Sequence, residues 1–104
     1  MSTDRLETLK EMLAQNPQDT FARYGLAMEH AKRGDWETAV SEFKTLLEQN
    51  PGYAAAYFHG GQALEKLGRV EDARDLYQKG IEITAQSGDR HTQSELQAAL
   101  DLLT

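Results

Sequence analysis

A spacing of 34 residues runs through the chain and constrains it more than any other feature: Asn16-Pro17 returns as Asn50-Pro51, Gly34 as Gly68, Ala39 as Ala73, and Phe43 as Tyr77. Laying residues 16–51 on 50–85 gives eight identities, the remaining four being Ala22/Ala56, Lys32/Lys66, Glu37/Glu71 and Glu48/Glu82. A fixed period of this length belongs to stacked helix pairs, in which each pair buries its apolar face against the next.

The matched residues fall where helices end or pack closely. Asn16 and Asn50 are suited to a left-handed conformation after a helix, and the proline that follows each cannot continue one. Gly34 and Gly68 supply positive φ at a turn, and Asp35 offers an N-cap oxygen to the next helix. Helices are therefore expected over 3–15, 20–33, 36–49, 54–67, 70–87 and 91–103. The short connections force neighbours to run antiparallel and in contact.

The two ends differ from the middle. Residues 2–17 laid on 36–51 share Lys10/Lys44, Leu13/Leu47, Gln15/Gln49 and Asn-Pro, so the first helix reads as the second half of a pair that lacks its first half. Arg5 replaces Ala39 there and suits water, with Leu6, Leu9 and Leu13 facing the next hairpin. At the other end Leu96, Ala99, Leu100 and Leu103 form one apolar stripe. Ala85 stands where a third Asn-Pro would place its proline, so the preceding helix is expected to run to Ser87, with Gly88 ending it and Asp89 starting the next.

Composition narrows the function. Seventeen acids against 11 bases leave a net charge of −6, which repels phosphate backbones and argues against nucleic acid as a partner. The absence of cysteine removes disulfides and thiolate chemistry. No apolar run is long enough for a membrane span, and the first residues lack a signal-peptide pattern, so a cytoplasmic location is expected without membrane insertion.

These features resemble the tetratricopeptide repeat, a 34-residue helix-turn-helix with small residues where its helices cross, an aromatic later in the second helix and a closing proline. The small pairs here are Ala27 with Ala39 and Gly61 with Ala73; the aromatics are Phe43 and Tyr77. The resemblance implies an all-α fold, a short right-handed α-solenoid of about six helices in a single domain, 1–104. It divides into an N-terminal capping helix (3–17), a first repeat (20–53), a second repeat (54–87) and a C-terminal capping helix (88–104). Arg23 departs from the family pattern at the position where Tyr57 keeps it, and His30 stands where a tyrosine is common in the family.

It also implies a protein or peptide partner, held in a concave groove lined by Phe21, Tyr24, Met28 and Lys32 from one helix and Phe58, His59, Gln62 and Lys66 from the next. The slots that would form a carboxylate clamp in this family hold Tyr24, Met28, His59, Asp89 and Gln93, which offer no fixed cationic fork. Lys32 and Lys66 could guide an acidic ligand, although lysines near helix C-termini commonly stay solvated. His30, His59 and His91 lie on different helices without a metal-ligand spacing, and no phosphate-cradling glycine loop occurs. Neither catalytic residues, metal nor cofactor are expected. The chain reads as a small adaptor or scaffold, monomeric or weakly dimeric; the alternative is a self-association module using the same apolar surface.

Overall fold

The computed structural model describes residues 4–103; the expected helix start at residue 3 and the last position, 104, lie outside them. Six α-helices follow one another: α1 (Arg5–Gln15), α2 (Thr20–Lys32), α3 (Trp36–Gln49), α4 (Ala54–Lys66), α5 (Val70–Ser87) and α6 (Arg90–Asp101). Each packs on the next, and α4 also touches α2 and α6, so α2, α4 and α6 stand side by side in one layer. α3 and α5 lie in the other layer, with no close approach of their backbones to each other. The result is an all-α solenoid.

The helix boundaries follow from local chemistry. Asp4, Asp19, Asp35 and Asp89 each cap a helix by accepting a backbone N–H, as Asp19 does from Ala22 at 3.0 Å. Gly34, Gly68 and Gly88 take φ of 79°, 77° and 78°. A Cβ would meet nothing within 4 Å at any of the three, so backbone conformation and not space requires glycine there. α5 does run on to Ser87, and Thr84, which falls 34 residues after Asn50, is fully buried with its hydroxyl donating to the Gly80 carbonyl at 2.8 Å.

Asn16 and Asn50 stop their helices by a different route from the one expected. Both have φ −142°, an extended and not a left-handed conformation. Their side-chain oxygens accept the N–H groups of Gln18 and Gly52, each at 3.2 Å, so each asparagine closes a turn around the following proline. The side chain, rather than tolerance of positive φ, explains this residue type.

The core is a row of three clusters. Leu9, Ala22 and Leu26 join α1 to α2; Ala27, Ala39, Phe43, Leu46, Ala56 and Ala63 fill the middle; Tyr57, Leu64, Ala73, Tyr77 and Leu96 close the far end. Full burial of a side chain such as Leu96 contributes about 1.5 to 3 kcal/mol. Small residues bring the second hairpin together: a Cβ on Gly61 would lie 2.1 Å from Cε1 of Tyr77, and one on Gly80 would lie 2.6 Å from Cβ of Tyr57.

Arg5 is not merely solvated. Its Nε lies 3.5 Å from a carboxylate oxygen of Glu29, which is buried on α2, and the other oxygen accepts Arg33 Nε at 3.2 Å. Arg33 reaches on to Asp4 at 2.6 Å. An arginine in place of the small residue thus serves as a counterion to the carboxylate beneath α1.

Candidate functional site

The layer of α2, α4 and α6 presents the face on which the family resemblance implies a groove. Met28, Ala31 and Lys32 of α2, Trp36 at the start of α3, and His59, Gln62, Glu65 and Lys66 of α4 line one cavity of about 540 Å³. Five of the eight expected groove residues, Met28, Lys32, His59, Gln62 and Lys66, therefore meet. They do so because one helical turn separates Met28 from Lys32 and Gln62 from Lys66, and two turns separate His59 from Lys66.

Tyr24 and Phe58 sit beside this cavity. The Tyr24 ring lies 5.1 Å from that of Tyr53, 6.3 Å from Phe43 and 6.0 Å from the imidazole of His59, the last two edge-on. Phe58 meets His59 edge-on at 5.2 Å. Such contacts use the complementary charge of ring edge and face. They leave Tyr24, Phe58 and His59 half-buried, with part of each available to a ligand. Phe21 stands apart from these rings and is 72% exposed.

The electrostatics follow from this packing. Burial pushes the Tyr24 hydroxyl above its ordinary range, helped by the neighbouring Tyr53. Burial lowers the pKa of His59, and the Glu95 carboxylate on α6 opposes that only in part. At neutral pH His59 is therefore an uncharged ring carrying one donor and one acceptor. The Lys66 ammonium sits 5.9 Å from the centre of the Trp36 ring, within cation–π range. Glu65 accepts the Tyr77 hydroxyl, whose own pKa is raised by burial and then by that carboxylate.

Trp36 also lines this cavity, although it is not among the groove residues that the family resemblance implies. It starts α3 beyond the Gly34 turn, so the helical spacing of α2 does not reach it. A larger cavity of about 660 Å³ opens on the opposite side, between α3 and α5 over α4. Its floor is formed by Phe43, Tyr57, Gly60 and Leu64, which are already buried, and Lys44, Glu48, Asp72, Asp75 and Lys79 stand on its rim. Volume alone favours that side. Available ring surface and two lysines without a carboxylate partner among the described residues favour the α2/α4 face.

Among the described residues no group of three or more His, Asp or Glu is placed to hold a metal, and no helix is long and apolar enough to cross a membrane.

The sequence profile of the tetratricopeptide repeat matches residues 24–88. A TPR repeat-containing protein of Pseudomonas aeruginosa is 30% identical over 91 residues, 88% of this chain and 87% of its own length. The crystal structure of a tetratricopeptide repeat domain protein from Salinibacter ruber is 40% identical and superposes with a TM-score of 0.77 over 82% of this chain and 94% of its own. The type III secretion translocator chaperone SycD of Yersinia enterocolitica reaches a TM-score of 0.88 over 94% of this chain and 68% of its own, at 13% identity, a likeness of fold alone. With two helix pairs, their glycine turns and this match over most of its length, the chain belongs to the tetratricopeptide repeat family.

Proposed function

We propose that the protein is a non-enzymatic adaptor that holds a peptide or helix of a partner protein on the α2/α4 face. Protein–protein interaction is the general role of the repeat. The observation that carries the assignment to this face is the meeting of Met28, Lys32, His59, Gln62 and Lys66 around one cavity, flanked by the half-buried rings of Tyr24 and Phe58. A partner's apolar side chain entering beside Met28 and His59 would cover surface that water now touches, contributing about 1.5 to 3 kcal/mol per buried anchor. Two or three such anchors, after ordering costs, fit a dissociation constant of about 1 μM.

Capture from lysate with the wild-type chain and with Gln62→Arg tests the assignment. Gln62 is exposed and lines the cavity, so the larger cation obstructs it without disturbing the core. Loss of a captured protein by Gln62→Arg, with retention by Lys44→Glu in the opposite cavity, is the expected result. The reverse pattern would move the site to the α3/α5 side.

The exposure of Phe21 favours a second reading, in which copies of the chain associate through an extension of the same face. Sedimentation across concentrations separates the two: a monomer that does not change with concentration removes self-association.

A further inference from the structure

The charge on the α2/α4 cavity differs from that of the rest of the molecule. The chain carries a net charge of −6, yet the cavity is lined by two lysines, Lys32 and Lys66, and one acid, Glu65. One oxygen of Glu65 accepts the buried Tyr77 hydroxyl, and the carboxylate keeps its charge, so the lysines still outnumber the acid in the lining. The lysines have no carboxylate partner among the described residues; Lys66 is steadied only by the Trp36 ring and Lys32 is solvent-exposed. By contrast Arg23, Arg33, Arg69 and Arg74 all have carboxylate partners.

Two lysines at helix C-termini have a simpler role, in which they offset the negative end of the helix dipole. Here that end is already occupied. The last carbonyls of α2 accept the N–H groups of Arg33, Gly34 and Asp35, and those of α4 accept Leu67, Gly68 and Arg69. Both ammonium groups therefore remain available above an apolar floor of Met28, Ala31 and Trp36. An ammonium beside apolar surface is a weaker competitor for water than one in the open, and a carboxylate arriving there gains a charge-assisted hydrogen bond.

We infer that this end of the face selects an acidic side chain within a partner's peptide segment, a glutamate or aspartate flanked by apolar residues, with Lys32 and Lys66 receiving the carboxylate and Met28 and Trp36 the apolar neighbours. The inference rests on the α2/α4 face being the binding surface. A terminal carboxylate is a poorer occupant: the lysines stand at one end of the face without the convergent amide donors that fix a chain end, and the neighbouring Gln62 and His59 supply only isolated donors. Because both lysines reach solvent, the selection is steep in salt.

The probes are three acetylated pentapeptides titrated into the isotopically labelled protein and followed by amide and indole shifts. The first has a central glutamate between leucines and an amidated end; the second replaces glutamate by glutamine; the third is the glutamine peptide with a free carboxyl terminus. The glutamate peptide is expected to shift Met28, Ala31, Gln62 and the Trp36 indole and to bind about tenfold more tightly than the amidated glutamine peptide at low salt. That advantage should vanish in Lys32→Gln with Lys66→Gln and shrink at about 0.5 M salt. Equal binding of the two amidated peptides at these residues overturns the charge selection and leaves the face standing. Preference for the third peptide overturns it in favour of chain-end recognition. Shifts at Lys44, Leu76 and Lys79 overturn both the selection and the face, and no shift with any peptide at about 10 mM overturns the selection.

Discussion

The first hairpin, α2 with α3, and the second, α4 with α5, occupy equivalent places in the 34-residue period but hold themselves together with different chemistry. In the second, the Tyr57 hydroxyl donates to the Pro51 carbonyl at 2.6 Å, and Tyr57 shares an apolar cluster with Leu76. In the first, the matching positions are Arg23 and Glu42, which form an ion pair at 2.7 Å, and the Arg23 guanidinium donates to the Pro17 carbonyl at 3.1 Å. Both hairpins thus tie a helix to the carbonyl of the preceding proline, one with a phenol and one with a guanidinium. A few positions on, Glu29 and Arg33 link to Asp4 and Arg5 of the capping segment, where the second hairpin has Ala63 and Leu67. The period prescribes where the backbone must be anchored, and the residue type that supplies the anchor varies.

The apolar hairpin is the less forgiving of added volume. Gly61→Ala sets a methyl 2.1 Å from the buried Tyr77 ring and should lower the unfolding free energy by about 3 kcal/mol, despite a gain of about 1 kcal/mol in helix propensity. Gly25→Ala in the first hairpin meets the movable end of Leu9 at 3.1 Å and should change stability by no more than about 1 kcal/mol. Denaturant titration of both variants checks the contrast, and equal losses would remove it.

Arg23→Ala should cost about 2 kcal/mol, because it leaves Glu42 without its partner in a half-buried setting. Arg23→Tyr combined with Glu42→Leu copies the second hairpin into the first and should return stability to within about 1 kcal/mol of wild type or above it. Failure of that double variant to recover would mean that the hairpins are not interchangeable at these positions. Glu29→Gln should cost about 1 kcal/mol, less at high salt, since Arg5 and Arg33 are 67% and 43% exposed and recover water when unpaired.

Much of this contrast lay beyond the sequence for a physical reason. Gly34, Gly68 and Gly88 were legible because a left-handed turn leaves few choices of residue, and the end of α5 at Ser87 followed from the missing proline. Arg23 and Arg5 looked like departures from a pattern, because similarity of residue type does not reveal that a guanidinium and a phenol reach the same carbonyl. Asn16 and Asn50 stopped their helices as expected but through their side chains. At the candidate site, helical periodicity brought Met28 to Lys32 and His59 to Lys66, whereas Trp36 joined them through a turn, which periodicity does not follow.

The smallest expected effect is on pH dependence. Burial holds the folded-state pKa of His59 below its ordinary value of 6.5, so the unfolded chain binds the proton first as pH falls. The stability associated with neutral His59 is fully present above pH 6.5 and is lost as pH drops from there through the folded pKa. His59→Gln should flatten the melting temperature over that acid range relative to wild type; an unchanged slope would show that His59 is not buried enough to matter.

The most direct measurement of the central claim is backbone amide shift mapping with whatever protein or peptide the wild-type chain captures. Perturbations gathered on Met28, Trp36, His59, Gln62 and Lys66, with Lys44, Leu76 and Lys79 unmoved, are the result predicted here. Perturbations gathered on the α3/α5 side instead would contradict it.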